Sequence, residues 1–299
     1  MPAIPQLPLI QRRILRWYRH SARDFPWRRT RDPYRILVSE VMLQQTQVNR
    51  VVGFYRAFMK RFTTLKSLAV ASPGSVLEAW QGLGYNMRAL RLHALAVQVH
   101  KTLKGRFPKK VEDLEQLPGI GPYTARAVAC FSFGVPVAVL DTNVRRVLHR
   151  LFPRAAGSGN LWNLAERVLS RRSSNDWNQA LMELGSTICT AAAPSCPDCP
   201  VGRRCPSYGR AARVAVRAGS PERLYRGFPR RIHRGRVVGL LGAAGPRTYK
   251  TVPSIGRAIL PSFTRGDETW LREVLLGLER DSLIRIKKDG QRWSASLVR

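Results

Sequence analysis

Apolar residues recur at helical spacing through most of the first two thirds of the chain. From Pro33 to about Phe62, the residues Leu37, Val41, Val48, Val52 and Tyr55 fall close to one stripe, as on a helix with one face toward a core. The same periodicity predicts helices over 74–80, 88–102, 111–117, 122–133, 144–151, 161–170 and 175–189. It stops near Cys205. The stretch 209–231, GRAARVAVRAGSPERLYRGFPRR, has the composition of a basic linker. Beyond it, 232–299 reads as a second, small domain with helices over 236–241 and 268–278. There the segment IRIKKDGQRWSA places an Asp289-Gly290 turn between two alternating strands. The expected fold is therefore mostly α: a two-lobed helical domain over 1–208, a linker, and a winged-helix-like α+β domain over 232–299. No repeat of fixed period is present.

Charge narrows the partners. Lys and Arg number 51 against 19 Asp and Glu, a formal net charge of +32 over 299 residues, with 44% hydrophobic residues to build a core. A chain this basic repels itself and favours a polyanion, and nucleic acid fits best because each neutralised phosphate releases counterions. An anionic membrane surface is the competing partner, but no basic amphipathic helix with an aromatic face stands out. No run approaches eighteen apolar residues, and the charges near the start follow the short apolar stretch, unlike a secretory signal. A soluble, cytoplasmic, nucleoid-associated monomer is the expectation.

Four of five cysteines lie close together as Cys189-x6-Cys196-x2-Cys199-x5-Cys205. In a reducing compartment disulfides explain this poorly. A zinc ribbon pairs two short knuckles, whereas one short gap between two long ones suits four thiolates on the corners of a [4Fe-4S] cubane, with zinc as the alternative. Cys130, in the apolar run AVACFSF, reads as a buried inert thiol.

Three further segments carry candidate chemistry. LPGIGPYTA, 117–125, joins two helices through a turn with two glycines. The amides from Gly119 through Ile120 and Gly121 to Tyr123 sit at a helix N-terminus, a site for one phosphate, and an ordinary helical corner is the plainer reading. Asp141 precedes the stripe Val144, Val147, Leu148 and Leu151. It reads as an N-cap, and such a position also favours an ionised carboxylate. Glu40 is flanked one turn away by Ile36 and Leu43; lost solvation raises its pKa toward that of a general acid, with a salt bridge to an arginine as the alternative.

The cysteine spacing after a helical domain resembles the endonuclease III and adenine DNA glycosylase superfamily, over roughly residues 10–208. LPGIGPYTA is similar to its helix-hairpin-helix, and SEVMLQQTQ to the motif holding the glutamate that protonates a purine. The resemblance implies a structural cluster on Cys189, Cys196, Cys199 and Cys205. It further implies Glu40 as acid, Asp141 facing the cationic sugar of the transition state, and Asn143 orienting the acids. Tyr123 stands where lyase members carry lysine; a phenol forms no Schiff base, which implies a monofunctional enzyme. Gln44, Gln45 and Gln47, and the loop Gly82, Leu83, Gly84, Tyr85 and Asn86, match segments that enter the duplex when a base is flipped. Asn86 departs from a tyrosine common at its position. The first cluster loop, Thr190 to Ser195, lacks the basic residues usual there, leaving Arg203 and Arg204 to meet phosphate.

The function implied is removal of adenine opposite guanine or 8-oxoguanine from mismatched or damaged double-stranded DNA, with the [4Fe-4S] cluster as cofactor. The alternatives are a thymine or uracil glycosylase acting on mismatches with guanine, and a non-catalytic iron-sulfur DNA-binding factor. No Nudix-like domain, by which long relatives check for 8-oxoguanine, is expected within residues 218–299; Pro261-Ser262-Phe263-Thr264-Arg265 lacks the histidine of its recognition loop. The C-terminal region, with Arg285, Lys287, Lys288 and Arg292 on its presumed wing, is expected to add phosphate contacts and to read the lesion little.

Overall fold

The computed structural model describes residues 6–157, 160–210, 224–244 and 248–298. In chain order the helices are α1 (Leu7–Ser21), α2 (Pro33–Leu43), α3 (Val48–Arg61), α4 (Leu65–Ala69), α5 (Pro73–Ala79) and α6 (Met87–Thr102). Then come α7 (Val111–Glu115), α8 (Pro122–Phe133), α9 (Thr142–Leu151), α10 (Pro153–Gly157), α11 (Leu161–Arg167) and α12 (Ser174–Thr187). The C-terminal part runs β1 (Leu224–Tyr225), β2 (Phe228–Pro229), α13 (Arg230–Ala243), β3 (Lys250–Thr251), α14 (Val252–Ile259), α15 (Glu268–Arg280), β4 (Ile284–Asp289) and β5 (Arg292–Leu297). The described residues divide between two compact units. The first draws on 1–37, 108–116 and 120–217, the second on 38–107, 117–119 and 218–299.

The core of the first unit is built where the apolar stripe of α9 meets α1, α11 and α12. Val144, Val147, Leu148 and Leu151 are buried with Ile10 and Ile14, Leu161 and Leu164, and Trp177, Leu181 and Leu184. Each fully buried aliphatic side chain contributes about 1.5–3 kcal/mol, so this packing, rather than the propensity of any short helix, holds α9 in place. The helix α1, which periodicity did not single out, supplies one wall with Ile14 wholly buried.

One buried charge is fixed here at high cost. Glu183 on α12 is completely inaccessible, and it accepts from Arg23 Nε at 2.5 Å and from Arg28 Nη2 at 2.7 Å. Burial pushes its pKa up, but the two guanidinium groups outweigh this and hold it below the usual glutamate value.

In the second unit the helical pattern over 33–62 is broken. Residues 44–47 are not helical and Gln45 has φ 55°, a left-handed conformation that ends α2. The cause lies outside the segment. Arg88 on α6 donates from Nη1 to the carbonyls of Val41 at 2.9 Å and Met42 at 3.1 Å and also bonds that of Gln44, satisfying groups that a longer helix would have bonded internally.

The C-terminal region shares this unit. There β1 pairs with β2, the strands β3, β4 and β5 form a second antiparallel sheet in the order β3-β5-β4, and α13 packs on α5. Gly239 of α13 lies beside the end of the Gln81 side chain, which would have to swing aside for any Cβ there. In the hairpin, Asp289 pairs with Arg292, so the turn is Gly290-Gln291, one residue later than expected. Gly290, at φ 53°, occupies the first turn position, where a positive φ is needed. The expected linker is also partly structured: 224–225 and 228–229 pair as strands and α13 begins at Arg230, six residues before the expected start. Interspersed arginines hid the short apolar run of Leu224, Tyr225 and Phe228. The rest of the linker, 211–223, lies outside the described residues.

Glu183→Gln leaves two guanidinium groups facing a neutral amide. Because Arg23 is 36% exposed, the loss falls near the low end for a broken buried pair, about 3 kcal/mol in urea unfolding. A lowered folded-state pKa stabilises above the ordinary glutamate range and this contribution is lost as pH falls below it. The gap between wild type and variant should therefore narrow on acidification.

Candidate functional site

The hairpin takes the predicted shape. Gly121 is the N-cap of α8 with Pro122 as its first residue, Gly119 has φ 76°, and both glycines are exposed while Ile120 is buried. Gly119 falls in the second unit, where a Cβ on it would lie 2.9 Å from Cβ of Arg91. Tyr123, in the first turn of α8, is half-buried and has a bonding partner.

Asp141 caps α9 as the sequence indicated, accepting from the Val144 amide at 2.6 Å. Asn143 Nδ2 donates to its other carboxylate oxygen at 3.0 Å. Asn143 is itself held, since its Oδ1 accepts from Arg146 Nη2 at 2.7 Å. Arg146 in turn donates to the carbonyls of Gly185 at 2.7 Å and Cys189 at 2.8 Å. One chain of bonds thus runs from the carboxylate to the first residue of the cysteine loop. The segment before Asp141 is pinned too, for Asn178 bonds the Val139 amide and the Val137 carbonyl, each at 2.9 Å. The electrostatics differ from the expectation that the helix terminus alone would favour ionisation. Burial raises the Asp141 pKa above its ordinary value and outweighs the Val144, Asn143 and Arg146 contributions that lower it.

Glu40 lies in α2 and belongs to the second unit, with 6% of its surface exposed between Ser39 and Val41, also buried. It has an interaction partner. The two loops expected to touch DNA are brought together by the same guanidinium that ends α2. Arg88 Nη2 donates to the Gly84 carbonyl at 3.2 Å and the Thr46 hydroxyl at 3.3 Å. Gln44 and Gln45 lie in the α2–α3 loop, Gln47 is the N-cap of α3, and Gly82 is tied to Arg50. Leu83 is buried, Asn86 half-buried, and Tyr85 is 53% exposed at φ 49°.

The four cysteines of the loop line one small cavity with Arg150, Leu184 and Ile188. Arg150, buried, donates to Cys189 Sγ at 3.3 Å and to the Thr190 carbonyl at 2.7 Å. The Cys205 thiol is pushed up to about 11, first by burial and then by the neighbouring Cys199, Cys189 and Cys196. Among the described residues no three His, Cys, Asp or Glu side chains could hold a single metal ion. Arg203 and Arg204 are exposed in the 3-10 turn between the third and fourth cysteines. Cys130 is wholly buried, its pKa raised by that burial, and it accepts from Asn178 at 3.3 Å, as an inert thiol should.

A model of the HhH-GPD superfamily of base excision DNA repair proteins matches residues 38–159. The adenine DNA glycosylase of Mycolicibacterium smegmatis is 42% identical over 236 residues, covering 76% of this chain and 78% of that protein. The chain belongs to the adenine DNA glycosylase family. Family members from rat and human are 41% and 42% identical over 73% and 70% of this chain, which spans only 46% and 42% of their lengths. A solved thermostable thymine-DNA glycosylase matches with a TM-score of 0.65 at 32% identity, covering 69% of this chain and 97% of that one. A non-covalent endonuclease III–DNA complex, with a TM-score of 0.61 at 21% identity over 70% of this chain and 98% of that one, shares the fold. The mostly helical endonuclease III fold is therefore that of this adenine glycosylase family member, with a small sheet in its C-terminal region.

Sequence reasoning missed Arg88, Arg146 and Arg150. Each spends its guanidinium largely on backbone carbonyls, and in a chain this rich in arginine no local signal separates these three from the solvated ones. Among the described residues no helix is long and apolar enough to cross a membrane.

Asp141→Asn keeps a capping oxygen and removes a desolvated charge. With the folded-state pKa raised, the native protein binds its proton more tightly than the unfolded chain, so ionised Asp141 opposes folding at neutral pH. The variant should melt at the same or a higher temperature than wild type at pH 7. A loss above about 1 kcal/mol, the usual cost of a lost cap, would show that the carboxylate is a net stabiliser.

Proposed function

We propose that this member of the adenine glycosylase family is a monofunctional DNA glycosylase that removes adenine mispaired with guanine or 8-oxoguanine. The observation carrying the proposal is the Asp141 carboxylate, held by Asn143 and the α9 amides in a buried position, in a chain that also retains a buried glutamate, Glu40, on α2. A carboxylate that is partly desolvated and fixed by hydrogen bonds is poised to stabilise a developing cation without reorganising.

The residues act in sequence. The basic surface captures duplex DNA, and the amides between Gly119 and Tyr123 hold a phosphate. The target nucleotide is extruded with help from the loops of Gln44, Gln45 and Gln47 and of 82–86, at the expense of stacking. Glu40 then protonates the base, and Asp141 stabilises the oxocarbenium-like sugar as the glycosidic bond breaks. Asn143 keeps the Asp141 carboxylate in register. Tyr123, in place of a lysine, offers no amine for a Schiff base, so water completes the step.

Cys189, Cys196, Cys199 and Cys205 would hold a [4Fe-4S] cluster. The four thiols fit it, because all four line one cavity and a cubane takes one thiolate on each iron. When bound it supplies a structural cross-link for the loop carrying Arg203 and Arg204. In the C-terminal region the three helices α13, α14 and α15 with the three-stranded sheet of β3, β4 and β5, ending in the β4–β5 hairpin, support a winged-helix arrangement.

Protein purified without oxygen should be yellow-brown with about four irons per chain; stoichiometric zinc would contradict the cluster assignment. Glu40→Gln and Asp141→Asn should each lower single-turnover adenine release by more than ten-fold, about 1.4 kcal/mol, with duplex binding retained. Release within ten-fold of wild type would mean that other groups are the acids. Borohydride should trap little covalent complex, and stoichiometric trapping would overturn the monofunctional reading.

A further inference from the structure

The outer face of α1 carries a charge that no acid of the first unit answers. Along Leu7–Ser21 the sequence LPLIQRRILRWYRHS holds four arginines and a histidine and no acidic residue. Ile10 and Ile14 bury one side of this helix in the core of the first unit. Arg12, Arg16 and Arg19, at i, i+4 and i+7, form a stripe on the opposite side, and all three are exposed. Shallow grooves run along the stripe. Arg12, Arg16, Arg19 and His20 line one of them with Ser170, and Arg12, Arg13, Arg16 and His20 line the other with Trp17 and Pro200.

Several other arginines of the first unit are paired with acids. Arg23 and Arg28 hold Glu183, Arg29 pairs with Asp24, and Arg126 with Glu166. Among the described residues Arg12, Arg16 and Arg19 have neither an ion pair nor a hydrogen bond. The helix dipole favours Arg19, which lies in the last turn. It does nothing for Arg12 and Arg16, and as like charges one turn apart they oppose the helix that carries them. Arg13, beside the stripe, is committed: its Nη1 donates to the Pro200 carbonyl at 3.2 Å and ties α1 to the cysteine loop. On the side of the other groove, Ser170 is followed directly by Arg171 and Arg172, both exposed. Repulsion of this kind is relieved by a polyanion.

We propose that the stripe of Arg12, Arg16 and Arg19 on α1 binds successive backbone phosphates of double-stranded DNA. The proposal rests on the reading of the chain as a DNA glycosylase, and it adds a tract of phosphate contacts to those of the hairpin and the cysteine loop. At 1.5 Å per residue, Arg12 and Arg19 stand about 10 Å apart along the helix axis, which matches roughly three nucleotide steps of 3.4 Å along one strand. The planar guanidinium offers paired donors that fit phosphate oxygens. Because the apolar side of α1 is already buried in the core, the helix has no face left to enter a lipid surface.

The full-length protein with its cluster is titrated, across a range of salt concentrations, onto a long duplex containing adenine opposite guanine and onto its fully paired counterpart. Wild type is compared with a variant combining Arg12→Gln, Arg16→Gln and Arg19→Gln. A control of equal charge change combines Arg56→Gln, Lys60→Gln and Lys66→Gln at exposed positions of α3 and α4. The α1 variant should bind both duplexes more than ten-fold more weakly at low salt, with a salt slope lower by about 2.7, about 0.9 for each arginine. It should melt at the same or a higher temperature than wild type, because glutamine suits a helix nearly as well as arginine and the repulsion is gone. A slope within about 0.9 of the control's would overturn the proposal, whether the face then serves an acidic protein or nothing. So would a loss confined to one of the two duplexes, or a lower melting temperature, which would make the arginines supports of the fold. Failure of the glycosylase reading itself is distinct: wild type at saturating concentration would then release no base from the mismatched duplex, whatever the salt slopes do.

Discussion

The rest of the first unit depends on keeping one carboxylate out of bulk water without losing control of its position. Asp141 at the head of α9 is desolvated enough for its pKa to rise, and it is kept in place by the Val144 amide and Asn143. Those bonds have value only if α9 itself does not move. The stripe from Val144 to Leu151 meets that need by burying its whole length against α1, α11 and α12. Gly185 of α12 lets α9 come closer still, since a Cβ there would lie 2.7 Å from Cβ of Asn143. Arg146 then ties the same turn of helix to the carbonyls of Gly185 and Cys189. Packing, backbone bonds and the cysteine loop all act on the few residues that orient the acid.

Arginine is used here in two ways that net charge does not distinguish. Some of the +32 faces solvent, as Arg203 and Arg204 do. Another part is turned inward. Arg88 gathers the end of α2 and the 82–86 loop, Arg150 gathers the start of the cysteine loop, and Arg23 and Arg28 neutralise Glu183. The planar guanidinium, with five donors, can satisfy several carbonyls at once where a lysine could not, which suits it to positions where loops must be held together.

What the sequence revealed follows from range. The α9 stripe with its capping Asp141, the hairpin glycines, the cysteine spacing and the buried Cys130 are local patterns, and all were legible. The break after Leu43 was not, because its agent, Arg88, lies more than forty residues further along the chain. The Asp289-Gly290 turn was placed one residue early because the dipeptide alone does not set the pairing register, which Asp289 and Arg292 fix by closing the hairpin. The ionisation of Asp141 was judged from the helix terminus, a local term, whereas the decisive term is burial by distant elements. In the C-terminal region the early start of α13 was masked by its arginines, and its packing on α5 is tertiary.

The proposed reaction is release of adenine. A single-turnover assay of base release from duplexes pairing adenine, thymine or uracil with guanine or 8-oxoguanine tests it most directly. Adenine should be released opposite both partners, with thymine and uracil left intact. Release of thymine or uracil opposite guanine, with adenine untouched, would contradict it.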